Sequence, residues 1–163
     1  MNRAFISVGT NIEREKHARL GAQALRELDR NARFSMVYEA QAVGYSGNNY
    51  FNFIAEIKTS LNVVSLRNRL KQIEQRYEPS RHADGVRQRC LDLDIIIFSE
   101  ASGHSMKPRE DLHKFAFVLR PLSELAPDFI VCTEQQTLAQ LWQQHSKRAV
   151  MRHQQLWPVD FII

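Results

Sequence analysis

Cysteine is nearly missing from this chain of 163 residues: Cys90 and Cys132 are the two, with no CxxC spacing and no paired histidine motif. That leaves no disulfide framework and no zinc pattern, and a reducing cytoplasm is the expected setting. No apolar run reaches the length of a membrane span, and "MNRAFISVGTN" is too short in apolar residues for a secretory signal, so no membrane partner is expected. Long runs of one charge are missing too. The net charge of +4 favours anionic ligands without naming one. Neither GxxxxGK[ST] nor GxGxxG occurs, which removes the P-loop and the dinucleotide fold, and there is no GxSxG elbow or HExxH helix. The six histidines are scattered and read as loop or surface residues.

What is present is a regular alternation of elements in a length that suits one domain, 1–163, with a core of ordinary size. Ala4, Ile6 and Val8 alternate with Phe5 and Ser7 in a first strand that runs into the turn "GTN". Thr10 and Glu13 have capping-box spacing, and Ala18, Gly21, Ala22, Leu25 and Leu28 form one helical stripe. "ARFSMVYEA" is a second strand and "YFNFIAEIKT" a third, with Phe51, Phe53, Ala55 and Ile57 on one face and Tyr50, Asn52 and Ile54 on the other. Asn62 precedes a second helix carrying Leu66, Leu70, Ile73 and Tyr77, closed by Pro79. A basic loop, "SRHADGVRQR", leads to a fourth strand, and "SEASGHSMKPRED" is a further loop. A short helix opened by Pro121 and stopped by Pro127 follows, then an amphipathic helix with Leu138, Leu141 and Trp142. Strand, helix, strand, strand, helix, strand is the order of a ferredoxin-like βαββαβ fold: α+β, an antiparallel sheet with helices on one face and extra C-terminal helices. The other sheet face is then available to a ligand.

The fourth strand, "RQRCLDLDIIIF", holds the chemistry. Alternation puts Leu91, Leu93, Ile95 and Ile97 on one side and Cys90, Asp92, Asp94, Ile96 and Phe98 on the other. Two carboxylates that close repel unless a cation lies between them. Mg²⁺ takes one or two carboxylates and completes its shell with water and substrate phosphates, which Asp92 and Asp94 suit. A solvated pair of strand aspartates is the plain alternative. Arg81, Arg87 and Arg89 just upstream, whose forks match phosphate oxygens, bring the metal-phosphate reading level with it. Cys90 is a small buried residue rather than a nucleophile, since no base accompanies it. Phe51 and Phe53 are core residues.

The segments "ISVGTNI", "YFN", Glu74 on the second helix, "RCLDLDIIIF" and "FVLRPLSELAP" resemble, in order and approximate spacing, the 6-hydroxymethyl-7,8-dihydropterin pyrophosphokinases of folate synthesis over nearly the whole chain. The arginine before LDLDI is the most specific part. The resemblance implies transfer of a pyrophosphoryl group from ATP to the hydroxymethyl oxygen of a reduced pterin, leaving AMP. It implies two Mg²⁺ ions on Asp92 and Asp94, and nucleotide contacts at Glu74, Arg81, Arg89 and Arg109. Catalytic roles are implied for Asp92, Asp94, Arg81 and Arg89, and a pterin pocket at Val43, Gly44, Tyr50, Asn52 and Phe117. Aromatic faces and an amide suit a flat heterocycle that both donates and accepts at its edge. ATP and the reduced pterin are the expected partners of a cytoplasmic monomer that binds neither nucleic acid nor membrane.

The chain is a diverged member of that pattern. Pro79 stands where relatives usually have arginine, Val86, Arg87 and Gln88 where they have tryptophan-glycine-proline, and Cys90 where they have threonine. Arg109 replaces a histidine, Phe115 an arginine, and Ala40 and Gln41 a threonine-proline pair. Two other readings stay open on the residues: a catalytically weakened relative that binds nucleotide or pterin without efficient transfer, and an RNA-binding ferredoxin-like domain. The second lacks the RNP1 pattern and places aspartates where phosphate would lie.

Overall fold

In the computed structural model, residues 1–44, 46–78, 90–131 and 133–163 are described. Pro79, Arg81, Val86, Arg87, Gln88, Arg89 and Cys132 lie outside the described residues. The chain runs β1 (Asn2–Thr10), α1 (Arg14–Leu28), β2 (Arg33–Phe34), β3 (Tyr38–Ala40), β4 (Tyr50–Thr59), α2 (Val63–Tyr77) and β5 (Asp92–Ser99). It continues through β6 (Ser105–Met106), α3 (Asp111–Lys114), α4 (Ala116–Leu125), β7 (Ile130–Val131), β8 (Gln136–Thr137), α5 (Leu138–His145), α6 (Ala149–Arg152) and β9 (Leu156–Pro158). The main sheet has the order β6-β5-β1-β4-β3-β9, with β2 also on β4, and β1 pairs antiparallel with both β4 and β5. This is the expected α+β, ferredoxin-like arrangement.

Central β1 is covered on both faces. Ala4, Ile6 and Val8 join Ala18, Ala22 and Leu25 of α1 and Leu66, Leu70 and Ile73 of α2 in one core. Phe5, Ile54, Ile96 and Ile97 pack on the opposite face against Leu119 and Leu122 of α4 and Leu138 and Leu141 of α5. The face away from α1 and α2 is therefore not open along its length: the C-terminal helices roof one end and leave a ligand only the other. Among the described residues no helix is long and apolar enough to cross a membrane.

Local structure departs from the sequence reading in four places, each with a physical cause. The register between β1 and β5 slips between Phe5 and Ile6, so Ile96 has no partner of its own. Such a bulge reverses the alternation. Ile97 consequently joins Ile96 in the α4 core, and Phe98 joins the α1 core with Leu91, Leu93 and Ile95. At the start of α1 the capping box does not form: Glu13 is the left-handed N-cap residue, at φ 40°, with no side-chain cap bond. The Thr10 hydroxyl is turned to the Ile12 carbonyl at 3.3 Å instead. The second strand is divided by Ser35, whose N–H donates to the Ile54 carbonyl and whose Oγ accepts the Ile54 N–H, both at 2.9 Å. Finally, Pro121 lies inside α4 rather than at its start. Its missing N–H removes one helical bond, a cost met within a helix whose residues are mostly buried.

Over Asp92–Asp94, β5 has β1 on one side and no strand on the other among the described residues, since β6 reaches only Phe98 and Ser99. The exposed edge is met by a side chain. Glu74, 3% exposed, accepts the Leu93 N–H at 2.7 Å and pairs with Lys71 at 3.2 Å. A buried amide without a partner is costly. Glu74→Ala is expected to lower stability by about 1–3 kcal/mol, the range for an orphaned buried donor, seen as a reduced urea midpoint. An unchanged midpoint would remove this role from Glu74.

Candidate active site

Strand register assembles the site. Asp92 pairs with Gly9, Gly9 with Asn52, and Asn52 with Tyr38, so these four form one row across β5, β1, β4 and β3. Asp94 and Ser7 share the next row. Because Asp92, Asp94, Ser7 and Gly9 sit at the end of this face that α4 and α5 do not roof, they floor a cavity of about 220 Å³. Gly9 makes the floor low: a Cβ there would stand 3.4 Å from Asn52 Oδ1 and 3.6 Å from Tyr50 Cδ1.

The ring end of the cavity is bounded by Tyr50, Asn52, Phe117 and Val43. Asn52 is 4% exposed, and its amide is held near the Tyr50 carbonyl at 3.5 Å. Phe117 stacks on Phe115, centroids 4.9 Å apart and planes at 20°, so the wall carries two aromatic layers where α4 begins. Gly44 adopts φ 82° on the adjoining exposed loop and is outside the lining. The base of that loop is pinned: Arg14 donates to Glu39 at 2.6 Å and to the Asn49 carbonyl at 3.3 Å.

At the acidic end, Arg109 Nη1 donates to Asp94 Oδ1 at 2.9 Å and its Nε to Asp111 Oδ2 at 2.8 Å. Nothing in the sequence marks Asp111, because an acid two residues after an arginine is too common a pattern to mark a site. Burial pushes the Asp94 carboxyl up to about 6, with the nearby charge of Asp92 adding to the shift and that of Arg109 opposing it. Burial likewise raises the Cys90 thiol, which fits a structural residue. The segment bearing Arg109 and Asp111 is tied down on both sides by Glu134, which pairs with Lys107 and, at 3.0 Å, with His113.

Asp94 and Arg109 also border a second cavity of about 280 Å³, whose other walls include Arg67, Leu70, Lys71, Ile95 and Pro108. Glu74, facing inward to the Leu93 amide, lines neither cavity. Arg81 and Arg89 lie outside the described residues. Among the described residues no three His, Cys, Asp or Glu side chains converge as an all-protein metal cage. Two adjacent carboxylates, one destabilised as an anion, nevertheless fit a hard cation that takes one or two carboxylates and draws its remaining oxygens from water and phosphate.

A model of the family described as 7,8-dihydro-6-hydroxymethylpterin-pyrophosphokinase (HPPK) matches residues 5–127. The 2-amino-4-hydroxy-6-hydroxymethyldihydropteridine pyrophosphokinase of Bacillus subtilis is 34% identical over 134 residues, covering 76% of this chain and 78% of that protein. The protein of the same name from Haemophilus influenzae is 28% identical over 139 residues, covering 81% of this chain and 86% of its own length. A crystal structure of Plasmodium falciparum HPPK-DHPS wild type with pteroate superposes with a TM-score of 0.65 over 93% of this chain at 12% identity. This chain spans 45% of that one, and the likeness bears on the fold alone.

The raised Asp94 value has a consequence for stability. The folded protein holds this proton more tightly than the unfolded chain, whose carboxyl has the ordinary value of 3.8. The stabilisation is complete below pH about 4 and is lost as pH rises through about 6. Without divalent cations, Asp94→Asn is expected to exceed the wild type by roughly 1–2 kcal/mol at pH about 7.5, allowing for solvent screening of a part-exposed side chain. The advantage should vanish at pH about 4. Urea midpoints at the two pH values test this, and a difference independent of pH would refute it.

Proposed function

The chain belongs to the 7,8-dihydro-6-hydroxymethylpterin-pyrophosphokinase family, and from that premise we propose that its two adjoining cavities hold the two substrates of pyrophosphoryl transfer. ATP and a reduced pterin are the substrates of this family, whose work is a step of folate biosynthesis, and the catalytic reading takes precedence over binding without transfer and over RNA binding. The observation that carries the proposal is that the Asp92 and Asp94 carboxylates and the Tyr50, Asn52 and Phe117 ring pocket border one cavity.

The pterin ring lies against Phe117 and Tyr50, while the Asn52 amide reads its edge by donating and accepting, and Val43 and Gly44 sit at the mouth. That orientation directs the hydroxymethyl group toward the aspartates. ATP occupies the neighbouring cavity, where Leu70, Ile95 and Pro108 offer apolar surface and Arg67, Lys71 and Arg109 offer positive charge to its phosphates. Arg81 and Arg89 are assigned to the phosphates, and Glu74 to the nucleotide side of β5, on the family resemblance. Asp92 and Asp94 would hold the magnesium, two ions in the finer reading. Magnesium so held neutralises the triphosphate and makes its β-phosphorus a better electrophile.

The hydroxymethyl oxygen attacks the β-phosphorus, the bond from that phosphorus to the oxygen bridging it to the α-phosphorus breaks, and AMP leaves with the bridging oxygen. The hydroxyl proton passes to solvent. The chain's contribution is alignment of acceptor and donor, exclusion of water by the aromatic wall, and placement of cationic side chains on the developing charge. A monomer in the cytoplasm, with neither nucleic acid nor membrane as partner, is the accompanying proposal.

With ATP, Mg²⁺ and 6-hydroxymethyl-7,8-dihydropterin, the protein is expected to release one AMP per pterin converted. Asp92→Ala and Asp94→Ala should each lower kcat by a factor on the order of 10³, as befits loss of several kcal/mol of charge stabilisation. Asn52→Ala should instead act mainly on the KM for the pterin. Wild-type AMP release from Asp94→Ala would overturn the assignment of the metal site.

A further inference from the structure

Arg109 belongs to both cavities and is the one described cation in contact with Asp94. Its Nη1 lies 2.9 Å from Asp94 Oδ1 and so takes one of the lone-pair directions by which that oxygen could hold an ion. The two occupants exclude each other, because a guanidinium and a divalent cation at contact distance of one carboxylate oxygen repel strongly. Asp92, Asp94 and Asp111 line the same cavity, and Arg109 is the cation set among these carboxylates. Arg109 holds its second partner, Asp111, through a different nitrogen, Nε, and can release one carboxylate while keeping the other. The backbone on either side is tied to Glu134 through Lys107 and His113, and the Arg109 side chain is 49% exposed. Motion is thus open to the side chain while the segment stays in place.

We infer that Arg109 is a built-in counter-ion: it neutralises Asp94 until the metal arrives, yields that oxygen to the metal, and, retained by Asp111, turns its freed edge onto the triphosphate. Asp111 is a positioning residue in this exchange. The inference rests on the reading of Asp92 and Asp94 as metal ligands, and it adds a competition that the reading itself does not require.

The test uses Mn²⁺ in place of Mg²⁺, titrated without nucleotide and followed by the electron paramagnetic resonance signal of the free ion. Arg109→Met should bind Mn²⁺ about 10-fold tighter than the wild type, within the ordinary range for coupled sites. Arg69→Met removes an equal charge from the exposed side of α2, outside both cavities, and should stay within about 2-fold of the wild type, as a screened exposed charge does. Calorimetry with Mg²⁺ and a non-hydrolysable ATP analogue should show weaker binding to Arg109→Met and, in the same direction, to Asp111→Asn. If Arg109→Met holds Mn²⁺ no tighter than Arg69→Met does, the competition is rejected. If Asp111→Asn binds the analogue like the wild type, the anchoring role is rejected. Neither measurement depends on turnover, so failure of the wild type to form AMP would reject the transfer while leaving these outcomes to decide the role of Arg109.

Discussion

The hydrogen bond from the Leu93 amide to the buried Glu74 carboxylate is the interaction on which the cleft depends. Leu93 lies between Asp92 and Asp94 on a stretch of β5 that, among the described residues, has a neighbour strand on one side only. An edge strand presents unpaired donors and is free to twist or slip, and a slip of one residue turns every side chain to the opposite face. In β5 that would exchange the aspartates for Leu91 and Leu93, burying charge in the α1 core and placing leucine in the cleft. Glu74 fixes the strand from the helix side by acting as the partner the edge lacks. It does so as a charged acceptor, which binds an amide more strongly than a carbonyl does. Its place in the mechanism is then to keep the aspartates facing the substrates.

How much of this could be read from the residues follows from which features leave a local mark. Strict alternation from Leu91 to Ile95 put both aspartates on one face, and the same logic paired Tyr50 with Asn52 opposite Phe51 and Phe53 on β4; the structure keeps both. Alternation fails at Ile96 because a run of three isoleucines carries no polar residue to show where the phase changes. The capping box at Thr10 and Glu13 had the right spacing. It does not form because Thr10 is fully buried at the end of β1 and its hydroxyl is engaged by Ile12. Asp111 acquires meaning only through Arg109, which it holds beside Asp94, and the contact of Arg109 with Asp94, fifteen residues away in sequence, is one that no local pattern encodes. The pairing of β9 with β3 is of the same kind, a long-range contact between short segments.

Charge is distributed against the average of the chain. The sequence carries a net +4, yet Asp94 sits among Asp92, Asp111 and Glu74. Phe115, at a position where relatives usually carry arginine, makes the pocket wall more apolar and withdraws one positive charge from it. Arg109, where relatives have histidine, returns a permanent charge beside Asp94. The two differences together move the cation from the ring wall to the boundary between the cavities. Since a guanidinium stays protonated at all working pH values and a histidine does not, the relocation also makes this charge independent of pH.

In the proposed mechanism that boundary is where the transfer takes place. A flat ring held by Phe117, Tyr50 and Asn52 can bring its hydroxymethyl group toward Asp92 and Asp94 from one cavity, and a triphosphate can reach the same carboxylates from the other. Asp94 and Arg109 belong to both linings, so donor and acceptor meet at residues whose positions are set by strand register and by the Glu134 tether rather than by the substrates. Fixing both reactants against one rigid wall removes much of the entropic cost of bringing them together. A reaction that asks for alignment and charge neutralisation more than covalent participation gains most from such a wall. In the proposed mechanism the Leu93–Glu74 hydrogen bond, by holding β5 in register, serves catalysis by keeping both aspartates toward the substrates.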